Sequence, residues 1–380
     1  MIFKEEFKKL FLNPFLWCLL LFFSIYNLFL IWAYVGAGRE ELQAVHEEIM
    51  EIGVDPEAYE EKIENTAEDE DSILSFYMSC ILRCRSLYDK LDMIDLKEMK
   101  EEMSDYHPTG LYKKYIDTGY ERLQNRVEQI RGSKKENQGF YPGEYYGLQG
   151  ILYGKIMKTI IAEMALLMIC SVLYLMDYER NQKTEELVYV SRMGKNVQKI
   201  KISAGLLAGL LTGCILMGIT LTGYFTQVSY EGLWDVSVST SLMAESRGVL
   251  FYPFITFFPM TVRIYLAASI VTILLLVLGI GILTAGIQLV VRSSYISFIL
   301  EALLFLLLFF LAGLKTVTFL DVIFAMNPVT LWYTCRVWFM ENDPALCFPG
   351  SEAVSLLLQF LTAGILLAGS WKQFCSRDVI

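Results

Sequence analysis

The sequence predicts an all-α polytopic membrane protein with six transmembrane helices. Three observations carry that expectation. Six apolar runs, at 15–36, 156–176, 202–225, 264–290, 295–314 and 353–371, each approach or exceed the ~20 residues that cross a ~30 Å hydrocarbon core. Charged residues make up 19% of the chain, below the roughly 25% usual in soluble domains. Lys and Arg also gather on alternate connections, as the positive-inside rule requires.

The first element expected is an interfacial amphipathic helix within 1–14. Phe3, Phe7, Leu10 and Phe11 share one helical face while Lys4, Glu5, Lys8 and Lys9 lie elsewhere, until Asn13-Pro14 turns the chain inward. Residues 15–36 then read as a span rather than a cleavable signal. The run is long and aromatic, and Val35-Gly36-Ala37-Gly38 is a poor cleavage site.

Residues 37–155 read as an extracellular helical domain. They hold 26 acidic and 15 basic side chains, a net −11, whereas the rest holds 16 and 17. The chain's charge of −10 is therefore local, and a near-neutral membrane part offers nucleic acid no basic surface. Asp55-Pro56-Glu57 is a helix start. From Ser72 the apolar positions Tyr77, Ile81, Cys84, Tyr88, Leu91 and Ile94 predict one helix, broken at His107-Pro108-Thr109-Gly110. Leu111, Tyr115, Leu123, Val127 and Ile130 predict a second, ending near Gly132. The acidic run Glu68 to Asp71 lacks the alternating ligands and turn glycine of a calcium loop, so it reads as solvated.

Spans two (156–176) and three (202–225) flank a charged cytoplasmic connection, 177–201. Span four (264–290) follows an outer loop at 226–263, in which Phe251-Tyr252-Pro253 through Pro259 reads as an interfacial piece. Span five is 295–314. In the outer loop 315–352, Pro328 interrupts an aromatic stretch, which predicts a pair of short re-entrant helices rather than one span. Span six (353–371) leads to a cytoplasmic tail, 372–380. Twelve Lys and Arg on the inner segments against Arg247, Arg263, Lys315 and Arg336 on the shorter outer loops put both termini in the cytoplasm of a cell-membrane, multi-pass protein.

Few residues suggest chemistry. The two histidines, His46 and His107, lie in the polar stretch, and the eight cysteines are scattered without zinc spacing. Cys335 and Cys347 share one outer loop and are open to pairing. No phosphate-binding loop of the form G-x-x-x-x-G-K-[ST] occurs, so ATP, if used, is hydrolysed by another chain. No catalytic residue, metal ligand or cofactor is expected. Intramembrane charge is costly, which makes Glu163 in span two and Glu301 in span five candidates for lining a polar pathway. The alternative is a glutamate reaching headgroup water or a neighbouring helix. Gly205, Gly209 and Gly213 in span three form a ladder for close helix packing.

The connection 177–201 is the most informative stretch. A charged helix–turn–helix bears a short apolar patch at Leu187, Val188 and Val190, with Lys195 beyond it as an exposed charge. Glu179, Thr184, Leu187, Ser191, Arg192 and Lys201 stand in the order of a loose motif. On these residues the chain resembles the permease subunits of type-2 ABC exporters, in the branch with a large extracellular domain between spans one and two. Lys183 departs from the motif, where a Gly often precedes the Thr, and so does Val190, where a Pro often sits. The resemblance implies that Glu179, Thr184, Leu187, Val190, Ser191 and Arg192 form a coupling helix seated on a separate ATP-binding subunit. It also implies a second permease subunit, identical or not, in the lipid bilayer. An intramembrane enzyme similar to CAAX proteases, suggested by Glu185-Glu186 and Arg192, lacks a histidine in any span. A membrane-anchored sensor leaves six spans unexplained.

Overall fold

A computed structural model of the chain describes residues 2–36, 44, 47, 61, 87–104, 107–133, 135–136, 148–190, 194–240, 245–247, 250–252, 254–341 and 344–376. The helix start at Asp55, the acidic run at 68–71, Cys84, Ser191 and Arg192 lie outside the described residues.

Helix α1 (Ile2–Phe11) ends at a sharp turn, where Asn13 caps α2 (Pro14–Tyr34) by accepting from the Phe15 amide at 3.0 Å, with Pro14 as the first helical residue. The apolar stripe of α1 is realised, with Phe3, Phe7, Phe11 and Trp17 in sequential ring contact. Its inner edge docks on the bundle, where Leu10 is buried with Leu16, Leu175, Ala204 and Ala208.

The next helices are α3 (Leu87–Lys90), α4 (Met93–Ser104) and α5 (Gly110–Gly132). The helix expected to run from Ser72 to His107 is interrupted at Leu91 and Asp92, because the Asp92 carboxylate accepts from the Ile94 and Asp95 amides and restarts the chain. The phase of the second helix also differs from the expected one. Tyr112, Ile116, Tyr120, Leu123, Val127 and Ile130 are buried, while Leu111 is 83% exposed.

After α5, a single π turn (Leu152–Met157) leads into α6 (Lys158–Asn181), the most enclosed long helix. Helix α7 (Glu185–Val190) and a 3₁₀ turn (Gly194–Asn196) precede α8 (Val197–Gln227). The glycine ladder is a contact surface. A Cβ on Gly205, Gly209 or Gly213 would meet Val172, Met168 or Met164 at 3.1, 2.7 and 2.8 Å, so only glycine lets α8 approach α6 this closely.

Residues 245–247 and 250–252 depart from an all-helical chain. Strands β1 (Glu245–Arg247) and β2 (Leu250–Tyr252) pair antiparallel, with Ser246 opposite Phe251. In the stretch that follows burial is mixed, and Phe258 is 53% exposed. Phe254 and Ile255 are 1% exposed, and Thr256 bridges to Met340.

Helices α9 (Val262–Val291), α10 (Ser294–Gly313), α11 (Leu320–Ala325), α12 (Pro328–Tyr333) and α13 (Ser351–Ser376) complete the chain. The expected pair of short helices before the last long one is α11 and α12. Asn327 separates them by accepting from the Val329 and Thr330 amides. Six helical segments are long and apolar enough to cross a membrane: Pro14–Tyr34, Leu152–Asn181, Gly194–Gln227, Val262–Val291, Ser294–Gly313 and Ser351–Ser376. They agree with the expected spans, but several run a turn or more further. The extra turns at the end of α6 and the start of α8 carry ion pairs (Asp177, Glu179, Arg180, Lys201), whereas Leu152, Tyr153 and Phe374 hold theirs by apolar burial.

The six alternate in direction. One end of the bundle gathers α1, the connection 182–196, the α9–α10 turn and the end of α13; we call it the near end. The far end carries α3–α5, the hairpin, α11 and α12. There the core of α3–α5 is shared, since Tyr88, Tyr120 and Leu123 pack with Ile255, Val322, Ala345 and Cys347. Tyr120 and Lys100 both donate to the buried Glu341, and Arg126 donates to the Thr256 carbonyl. Cys335 and Cys347 are not joined. The first donates to the Tyr153 carbonyl, and the second packs beside Gly119.

Candidate functional site

Charged residues that lie far apart in sequence converge at the near end. Helix α6 ends in Asp177, Glu179 and Arg180, the first two of them buried. Glu179 accepts from Lys9 Nζ of α1 at 2.8 Å and pairs with the buried Lys201 of α8. Lys9 also meets Glu6 at 2.6 Å and lies over the Tyr178 ring. One carboxylate thereby ties α1, α6 and α8 together. Buried charge is tolerated because each member has an opposite partner.

Asp177 serves a second junction. It accepts from Arg180 at 2.9 Å, Gln288 at 2.9 Å, and both the amide and the hydroxyl of Ser294 at 2.7 Å. Four donors satisfy the carboxylate. The Ser294 amide is the first of α10, so the acid also sits on the positive end of that helix. Arg292, at φ 58°, closes α9 in the left-handed conformation that ends helices.

The chain leaves α6 through a similar left-handed residue, Lys183, at φ 56°. This is the position at which the loose motif favours glycine, and the backbone gives the reason. The Thr184 amide and hydroxyl then both donate to the Glu179 carbonyl, at 2.8 and 3.4 Å, and close the helix end. Thr184 is thus a turn former.

Helix α7 follows and is braced on every side but one. Glu185 meets Arg180 at 3.2 Å and Arg292 at 3.1 Å. Burial alone would raise its carboxyl, but the hydrogen bonds from Arg180 and the charges of Arg180 and Arg292 outweigh it and hold Glu185 below the usual carboxylate range. Tyr189 accepts from Gln198 at 2.9 Å and meets the Phe374 ring of α13 edge-on at 5.9 Å. Lys195 is the charge expected to be exposed, with no partner named for it. It donates to the Cys375 carbonyl at 2.8 Å, because the turn before α8 lies against the end of α13. On the remaining side α7 presents Leu187 and Val190, 75% and 87% exposed. These are the largest apolar exposures on a short helix whose other residues are Glu185, Glu186, Val188 and Tyr189.

The expected site residues therefore separate. Glu179, Thr184, Leu187 and Val190 come together. Glu163 lies in the packed junction of α2, α6 and α8, where Asn27 donates to it at 2.7 Å and to Thr220 at 3.1 Å. Glu301 borders a cavity beside α10. The sequence reading missed Lys9, Asp177, Arg180, Glu185 and Arg292 as network members. A signal did exist for two of them, since Asp177 and Arg180 are opposite in sign at i, i+3. Comparison with known protein families, with curated proteins and with solved structures finds no match to this chain.

Proposed function

We propose that the chain is the membrane-spanning permease subunit of an ATP-driven exporter, coupled through α7 to a separate ATP-binding subunit. The observation that carries this reading is the pairing of two properties in one six-residue helix. Its outer face is apolar and uncovered at Leu187 and Val190. Its inner face is fastened through Arg180, Arg292, Gln198 and Phe374 to α6, α8, α9 and α13. A protein seated on the outer face would push on a rigid element joined to most of the bundle. Apolar side chains at a charged membrane face suit a partner protein, since contiguous exposed apolar surface on such a face marks an interaction site.

In this reading the near end is cytoplasmic and the far end extracellular. Two copies of the chain, or this chain and a second permease, complete the pathway, and no cofactor is needed in the chain itself. The expression host's own membrane, solubilised in mild detergent, provides the test. The tagged chain, produced with its chromosomal neighbours, is expected to bring down an ATP-hydrolysing protein in stoichiometric amount. Recovery of the chain without such a partner, under conditions in which α1–α13 stay folded, would count against the proposal.

A further inference from the structure

We propose that the cleft between α10 and the α6–α9 pair is a binding site for a cationic amphiphile, its apolar body among Ile161, Leu276, Phe305 and Trp332 and its amine on Glu301. The cavity measures about 380 Å³, within the range of sites that enclose a small organic molecule. Helices α6, α9, α10 and α12 line it, and Glu301 is the one ionisable residue among the lining side chains.

The supply of protons to that carboxylate points to the ligand. Glu301 is 1% exposed. Its donor among the described residues is the Thr284 hydroxyl, 2.8 and 3.0 Å from the two oxygens. The same hydroxyl also lies 2.9 Å from the Ile280 carbonyl. A hydroxyl carries one proton, so with Glu301 ionised one proton faces three acceptors. A buried carboxylate short of donors attracts a group that brings both a positive charge and N–H bonds. An anion is repelled there, and a plain hydrocarbon leaves the carboxylate as it was.

The shape favours an elongated molecule. A second cavity of about 520 Å³ shares Phe309 and Val329 with the first and runs on to Gly313 and Lys315. From Glu301 to Gly313 the helix rises about 18 Å at ~1.5 Å per residue. Room exists because α10 stands away from the bundle, with Ser297 and Glu301 its buried residues. The inference deepens the permease reading by naming a class of cargo, although the binding itself needs no ATPase.

The test uses the full chain in lipid nanodiscs, with radiolabelled dodecylamine as probe, dodecanol and dodecanoate as competitors, and empty discs subtracted. Saturable amine binding is expected, with dodecanol and dodecanoate competing poorly. Glu301→Gln should weaken it roughly tenfold, the worth of a charged hydrogen bond, and Ala302→Trp should fill the cavity and abolish it. Dodecanol binding as tightly as the amine would assign the cleft to a lipid chain and overturn the proposal. So would amine binding indifferent to Glu301→Gln, or no saturable binding at all. Should Glu301→Gln fail to fold, the dodecylamine-to-dodecanol ratio on the unaltered chain still decides. ATP-driven export without amine binding would remove the cargo class and leave the permease reading. Amine binding without any ATPase partner would do the reverse.

Discussion

Replacing Glu179 with leucine removes an acid that two lysines share. Lys9 Nζ stands 2.8 Å away, where an effective dielectric of about 20 gives roughly 6 kcal/mol of attraction. The Lys9 side chain keeps 26% exposure and a second acid, Glu6, so solvent and Glu6 recover much of that loss. Lys201 decides the outcome. It is 1% exposed, and removing one member of a buried pair costs roughly 3–5 kcal/mol because the other charge is stranded. Lys201→Met strands Glu179 less severely, since Lys9 remains. The double variant Glu179→Leu/Lys201→Met removes both buried charges and should recover most of the loss. Reversible unfolding in mixed micelles of the four proteins measures the coupling, expected at roughly 2–3 kcal/mol. Single effects that simply add, with the double variant the least stable, would refute the claim that this pair fastens α8 to α6.

Three further outcomes are expected. Gly209→Ile should destabilise by roughly 1–3 kcal/mol through overpacking, because Met168 lies within 3.0 Å of the new Cβ. Gly218→Ala, with open space around it, should be neutral or stabilising by up to about 1 kcal/mol, and equal losses in both unfolding curves would contradict the packing argument. Because Glu185 is held below the usual carboxylate range, its contribution is full above about pH 4.5 and is lost as pH falls through its lower folded value. The stability advantage over Glu185→Gln should therefore shrink as the pH falls below about 4.5, and a constant difference would exclude it. Residues 37–155 produced alone should show helical circular dichroism without cooperative melting, since Tyr120 and Arg126 lose Glu341 and Thr256. A sharp transition would show that those contacts are dispensable.

The long helices were legible because spanning length is a property of composition alone. Asn13-Pro14 and Asn327-Pro328 announced caps, since the side chain and the fixed φ both act within two residues. The break at Asp92 was hidden for the opposite reason. Its carboxylate can cap or lie on a helix surface, and only the packing of Met93 and Leu96 against α5 settles the choice. Leu111 and Tyr112 illustrate phase. Both are apolar at the start of α5, and the interior contains whichever one Cys347, Val322 and Ile255 reach. Of the near-end cluster, the local half was readable: Thr184, Leu187 and Val190 belong to one charged turn. The Lys9–Glu179 pair joins residues 170 positions apart, and no periodicity encodes it. The cleft beside Glu301 is a space between helices, which a linear pattern of side chains does not describe.

The central claim is that α7 receives the force of an ATPase, and substitution of its uncovered apolar face tests this most directly. Leu187 and Val190 make no contribution to the buried core, so Leu187→Asp and Val190→Asp should leave folding and membrane insertion unchanged. In a complex each aspartate would be buried without a partner, at a cost of several kcal/mol. The measurement is the affinity of the chain in nanodiscs for the proposed ATP-binding subunit, together with that subunit's ATP turnover. We predict at least a hundredfold loss of affinity and loss of stimulated turnover in both variants. Affinity and turnover equal to those of the unaltered chain would contradict the account.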